Sequence, residues 1–318
     1  MPAFWLVVGL VMLVGGAEVV VRQGAQLARR LHVSPIIIGL TVVSIGTSVP
    51  ELAVGINAMA NEQGNLVLGN IVGTNIVNLL LILGLAAVIR SVALRRSTIK
   101  IDLPAMVGAS VLLLVLTLDG ELSTRDGVIL LVPGVLYMWM VVATAKLRTP
   151  RGEDAVDEEP PPRPGWRFAV RELALLAAGI GVIVVGADRL VSGAVDIASA
   201  LGVSDTIIGL TIVAIGTSAP ELVTTIMATI RNQRGIAIGN LLGSSTLNLT
   251  LILGVSLLFG PQAVAVDESF IRVDLPIMVA VALVCIPIFT TGRRISRPEG
   301  GLMVAAYMAY LTFIIISA

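Results

Sequence analysis

The segment Ser34–Gly84 recurs as Ser204–Gly254 at a constant offset of 170 residues, without a gap and with about half of the paired positions identical. The first copy reads GLTVVSIGTSVPELAVGI and then LGNIVGTNIVNLLLILG; the second reads GLTIVAIGTSAPELVTTI and then IGNLLGSSTLNLTLILG. The chain is therefore expected to fold as two related halves. In each copy one carboxylate, Glu51 or Glu221, follows a proline inside an otherwise apolar run. A charged side chain at bilayer depth costs at least ~2.5 kcal/mol on the most lenient insertion scale, so two in equivalent places imply a cation site.

Such depth requires a membrane, and the composition is that of a membrane protein. Of the 318 residues, 56% are hydrophobic and only 13% charged, where soluble domains carry ~25% charged residues. Gly, Pro and charge clusters separate ten apolar runs: 3–28, 35–61, 66–89, 101–119, 126–146, 168–199, 206–230, 235–261, 271–292 and 299–317. Each approaches or exceeds the ~20 residues that cross a bilayer as a helix. The opening MPAFWLVVGLVMLVGGAE lacks the positive n-region of a secretory signal and reads as a retained first span. One cysteine, Cys285, and one histidine, His32, leave no Cys- or His-based metal cluster.

The polar stretch Leu147–Trp166 is acidic and then proline-rich, so it reads as a linker between a first repeat, 1–146, and a second, 167–318. Similarity extends beyond the central segments. Gly16-Ala17-Glu18 matches Gly186-Ala187-Asp188, Asp102-Leu103-Pro104 matches Asp274-Leu275-Pro276, and Tyr137 matches Tyr310. Five spans per repeat force the second copy to enter from the opposite side, giving inverted topology. The expected fold is an all-α integral membrane protein: ten transmembrane helices in two inverted five-helix repeats, with broken helices at a midplane ion site. Arginine and lysine crowd one side, in the loops after the first, third, fifth, seventh and ninth spans, whereas the other side has little beyond Arg125 and Arg272. By the positive-inside rule the linker is expected in the cytoplasm and both termini outside.

Pro50 has no amide hydrogen, and its ring clashes with the Gly46 carbonyl, so the helix is expected to open at GTSVPE. Backbone groups freed at membrane depth are tolerated only in protein or beside a wet cavity. Thr47, Ser48 and Glu51 place hydroxyls and a carboxylate beside those carbonyls, and Thr217, Ser218, Pro220 and Glu221 repeat the arrangement. The following helix of each copy adds Thr74 and Asn78, or Ser244 and Asn248, at i and i+4. The two amides also read as interhelical glue. Gly69, Gly73, Gly239 and Gly243 permit close helix approach. All these ligands carry oxygen, which suits Ca²⁺ and Na⁺ rather than zinc or copper. Asp102 and Asp274 read as helix caps, Asn70 and Asn240 as structural, and Glu18 and Asp188 as packing or edge residues.

GTSVPEL with LGNIVGTNIVN, and GTSAPEL with IGNLLGSSTLN, resemble the two alpha repeats of the cation/calcium antiporter superfamily, nearest to prokaryotic sodium/calcium exchangers. The resemblance implies broken second, third, seventh and eighth helices around a midplane site, with the first and sixth sliding across them. It implies Glu51 and Glu221 as principal calcium ligands, helped by the carbonyls of Thr47 and Thr217. Sodium sites would draw on Ser48, Thr74, Ser218 and Ser244 and on carbonyls at Ser44 and Ala214, with Asn78 and Asn248 in the middle. The match departs at Asn248, where several sodium/calcium exchangers carry Asp; this bears on protonation of the middle site, sodium stoichiometry and potassium dependence. The GTSxPE frame, unlike the GNxxE of calcium/proton exchangers, favours sodium as the driving ion.

The function read from the chain is thus an antiporter that exports Ca²⁺ against Na⁺ by alternating access, in a multi-pass cell-membrane protein. Coupling to H⁺ or K⁺ is the alternative within transport, and a passive cation channel is a more distant one. A membrane-embedded enzyme is disfavoured, because no nucleophile–base pair or GxSxG-type element is present. Nothing implies a cofactor beyond the transported ions, and no nucleic-acid or protein partner is implied.

Overall fold

The structure, a computed structural model, describes residues 2–145, 166–202 and 214–317. The linker before Trp166 and the first part of the seventh expected span, 206–213, lie outside the described residues. The chain runs through α1 (Pro2–Arg30), α2 (Pro35–Thr47), α3 (Val49–Ala60), α4 (Gly64–Ile89), α5 (Thr98–Leu116) and α6 (Thr124–Ala143). The second half continues with α7 (Trp166–Ala200), α8 (Ala214–Thr217), α9 (Ala219–Ile230), α10 (Arg234–Leu257), α11 (Phe270–Thr290) and α12 (Arg297–Ser317). Among the described residues eight helices are long and apolar enough to cross a membrane, and the pair α2–α3 makes a ninth, broken span. Helices suit this sequence because they satisfy every backbone group internally where no water is available.

Burial separates the helices that build the site from those that surround it. In α4 and α10, 78% and 94% of the most apolar stretch is buried, against 17% in α12. The main apolar cluster joins α4, α5, α10 and α11 through Ile71, Leu79, Met106, Leu241, Leu249 and Phe289. A smaller one, with Leu13, Ala17 and Val20 against Leu176, Ile183 and Ala187, holds α1 lengthwise along α7.

The halves are also tied through their loops. β1 (Val92–Ala93) pairs antiparallel with β4 (Arg294–Ile295), and β2 (Glu121–Ser123) with β3 (Ala263–Ala265). Each ladder joins a loop of the first half to one of the second. Backbone hydrogen bonds, rather than side-chain packing, fasten the two repeats there.

Only the proline-bearing helix breaks in the manner expected. α2 and α3 meet at 42°, and the corner residue Ser48 has φ −86° and ψ 6°; Ser218, between α8 and α9, has the same angles. The third and eighth spans, expected to be broken, run through as α4 and α10. They have no proline, and each instead carries a π-helical stretch, Val77–Ile82 and Asn248–Ile252. A π turn admits an extra residue without cutting the ladder, and such turns gather at functional sites.

The structure also corrects the reading of Asp102 and Asp274 as caps. Both lie in helical backbone with no side-chain cap bond, because π turns at Thr98–Asp102 and Phe270–Asp274 continue each helix backwards. Tyr137 donates to Asp102 Oδ1 at 3.2 Å, and Tyr310 donates to Asp274 Oδ1 at 3.3 Å. Each tyrosine hydroxyl thus pins the last helix of its repeat to the helix before it. Tyr310→Phe is expected to cost ~1 kcal/mol, seen as a melting point a few degrees lower in detergent. An unchanged melting point would show the contact idle.

Candidate cation site

The two corners face each other in the centre of the molecule. Ser44, Thr47, Ser48, Glu51, Asn78, Ser218, Glu221, Ser244 and Asn248 are fully buried, and Thr74 is 2% exposed. Thr217 is half-buried on α8, which Ala214 begins. The proline after each corner explains the local geometry. Pro50 offers no hydrogen to the Gly46 carbonyl, so α2 ends with its negative dipole end at the corner while α3 starts afresh. Glu51 then occupies the first turn of α3, and Glu221 the first turn of α9, where free backbone amides favour a carboxylate.

The corner serines cross between repeats. Ser48 Oγ lies 3.5 Å from Glu221 Oε1, and Ser218 Oγ lies 3.5 Å from Thr74 Oγ1. Ser244 Oγ sits 3.5 Å from Glu221 Oε1, 3.5 Å from the Ser44 carbonyl and 3.4 Å from Thr47 Oγ1. Good O–H···O bonds are about 2.5–3.0 Å long, so these oxygens satisfy one another poorly. A hard cation bound at ~2.3–2.6 Å places neighbouring ligands at right angles about 3.3–3.7 Å apart. The spacing therefore suits oxygens arranged around an ion better than oxygens bonded to each other.

Unpartnered atoms carry the same message. Both carboxylate oxygens of Glu51, Oε2 of Glu221 and both side-chain polar atoms of Asn78 and Asn248 are buried without a hydrogen-bond partner. Leaving even one buried polar group unsatisfied costs ~1–3 kcal/mol, more if charged. Glu51 and Glu221 also lie close enough to repel. Two buried carboxylates with no ion-pair partner among the described residues suit a cation, and the orphaned amide oxygens of Asn78 and Asn248 are donors of the kind a hard cation takes. A divalent ion balances the pair of carboxylates by itself.

Other sequence candidates fall outside this cluster. Glu18 accepts from Arg231 Nε at 2.7 Å, and Asp188 is exposed beside Arg189. Asn240 is nearer the site than its structural reading suggested: it is fully buried, accepts from Thr47 Oγ1 at 3.1 Å and donates to Thr225 Oγ1 at 3.2 Å. Asn70, its counterpart, keeps an unpartnered Nδ2 because Gly55 stands where the second copy has Thr225. Thr224 Oγ1 and Ser245 Oγ, which the sequence reading passed over, are likewise buried without partners. Their signal was the difference between copies: Thr224 and Thr225 follow Glu221 at three and four residues where the first copy has Val54 and Gly55, and Ser245 stands where the first copy has Asn75.

Asn240→Ala strips one partner from each of two buried hydroxyls. A cost of ~1–3 kcal/mol follows, and calcium affinity is expected to fall up to about tenfold as Thr47 loses its orientation. A calcium titration on the monodisperse variant reads this directly.

The family model described as sodium/calcium exchanger protein matches residues 1–143 and 171–316. The chain is 33% identical to the sodium/calcium exchanger MaX1 of Methanosarcina acetivorans over 96% of each chain. It is 34% identical to the inner membrane protein YrbG of Escherichia coli, covering 97% of this chain and 95% of that one. It superposes on the solved structure of the sodium-calcium exchanger NCX_Mj soaked with 10 mM Na⁺ and 10 mM Sr²⁺ with a TM-score of 0.81, at 31% identity, covering 100% of this chain and 98% of the other.

Proposed function

The chain belongs to the sodium/calcium exchanger protein family, and from that premise we propose that it exports Ca²⁺ in exchange for inward Na⁺ by alternating access at the Glu51–Glu221 cluster. It is a multi-pass membrane protein and a cation/calcium antiporter, not an enzyme; the transported ions are Na⁺ and Ca²⁺, with no cofactor. The observation that carries the finer reading is a set of buried carboxylate and amide oxygens without partners at Glu51, Glu221, Asn78 and Asn248, beside hydroxyls of both repeats that stand 3.4–3.5 Å from one another or from Glu221 Oε1.

In this reading Glu51 and Glu221 are the calcium ligands, with the carbonyls of Thr47 and Thr217 beside them. Ser48, Thr74, Ser218 and Ser244 offer sodium-sized oxygen pockets, completed by the carbonyls of Ser44 and Ala214. Asn78 and Asn248 turn their amide oxygens to the centre. Calcium and sodium use overlapping oxygens, so binding of one expels the other. An empty site keeps two close carboxylates facing each other with no counter-charge, and their desolvation opposes the switch between inward- and outward-open forms. Either ion removes that penalty, which couples the two fluxes. The arginine-rich loops support a cytoplasmic linker and outward termini.

The test is radiolabelled Ca²⁺ uptake into Na⁺-loaded proteoliposomes diluted into Na⁺-free buffer. Uptake is expected only with the outward Na⁺ gradient. Uptake driven by a proton gradient alone, or requiring K⁺, would reassign the driving ion, and uptake without any counter-ion would make the protein a channel.

A further inference from the structure

Away from the cation site, a cavity of about 170 Å³ opens at the end of the bundle where α1 finishes and α9 turns into α10. Its charged lining is Arg22 and Arg29 from α1, Arg231 from the turn, and Glu18. Glu18 is already engaged with Arg231 at 2.7 Å. Among the described residues neither Arg22 nor Arg29 has an ion pair or hydrogen bond. Three guanidinium groups against one carboxylate leave two positive charges concentrated on a small concave surface.

We propose that this cavity binds the phosphate headgroup of an anionic phospholipid. Guanidinium forks match phosphate oxygens in pairs, which makes arginine a common phosphate ligand. The volume equals the room of about five or six waters, enough for a phosphodiester but not for a nucleotide. Exposed apolar side chains at this end of the bundle favour a lipid over a soluble anion. Ile230, next to Arg231, is 59% exposed, and Leu31, two residues after Arg29, is 51% exposed. Acyl chains cover such side chains, and basic pockets between transmembrane helices hold lipid headgroups at this level. Arg22 and Arg29 lie on α1, whereas Arg231 follows α9, the helix whose first turn holds Glu221. A headgroup that engages all three therefore fastens α1 to a helix of the cation site, beside the Glu18–Arg231 pair.

Lipid retention tests this without any transport assay. The wild-type protein, extracted from membranes containing phosphatidylcholine and phosphatidylglycerol, is weighed intact by native mass spectrometry, alongside Arg22→Gln/Arg29→Gln. Each arginine is worth about fivefold in affinity, so the double variant should retain phosphatidylglycerol about thirtyfold more weakly, with phosphatidylcholine unchanged. Arg293→Gln/Arg294→Gln, which changes two arginines outside the cavity, should keep the lipid. Equal retention by all three proteins, or an equal loss in both variants, overturns the proposal. Should the double variant not fold, the wild type decides: displacement of phosphatidylglycerol by millimolar inorganic phosphate contradicts a lipid site, and retention supports it.

Discussion

Glu51→Gln is expected to abolish calcium exchange while leaving the protein folded and, without ions, more stable than the wild type. Glutamine has nearly the same shape, so the corner at Ser48 keeps its packing. What disappears is one of the two buried charges. A unit charge and a divalent ion ~4 Å apart at an effective dielectric of ~20 attract by about 8 kcal/mol, before desolvation. If only a third of that survives, the loss is about a hundredfold in affinity. The gain in stability has the same origin with the opposite sign: the ion-free site holds two close carboxylates, and both oxygens of Glu51 lack partners, so neutralising one removes repulsion and desolvation cost. Flux into proteoliposomes and melting of ion-free protein check the two signs. A variant that exchanges calcium at the wild-type rate would remove Glu51 from the site. Glu221→Gln should lose exchange as well, although Ser48 and Ser244 both approach its Oε1.

Gly239→Val is expected to destroy the site without touching any of its ligands. A Cβ at Gly239 would lie 2.5 Å from the Ile36 carbonyl oxygen and 2.8 Å from the Leu40 nitrogen. Both are backbone atoms of α2, so no side chain can rotate away. α10 must withdraw from α2, drawing Asn240 from Thr47 and Ser244 from the Ser44 carbonyl. Overpacking of this kind costs ~1–3 kcal/mol or more, and the separated oxygens no longer fit around one ion. Gly181→Val is the control, since nothing lies within 4 Å of a Cβ there. Loss of calcium binding in Gly239→Val but not in Gly181→Val is the expected pair of results. Normal binding in both would mean that the close approach of α2 and α10 does not set the site.

Features fixed by local rules were legible in the sequence. Apolar length marks the spans, proline marks the corner, and duplication marks Glu51 and Glu221 as partners. The match to solved exchanger structures bears out that fold. Contacts decided across the molecule were not legible. Nothing local says that Thr47 meets Asn240, 193 residues away, or that Val92 pairs with Ile295. Asp102 beside Pro104 looks like a cap, because the π turn that carries the helix past it has no sequence signature. The same holds for α4 and α10: Asn78 and Asn248 lie in π turns, where the resemblance to exchangers implied a break. Differences between the copies, as at Thr224 and Thr225, carried information that a search for identity passed over.

A shared Na⁺/Ca²⁺ site is tested by equilibrium Ca²⁺ binding to purified protein, titrated with Na⁺, for the wild type and Glu51→Gln. A single shared site requires one high-affinity Ca²⁺ per chain, displaced cooperatively by Na⁺, and none in the variant. Calcium that remains bound in saturating Na⁺, or that binds Glu51→Gln as tightly as the wild type, would contradict it.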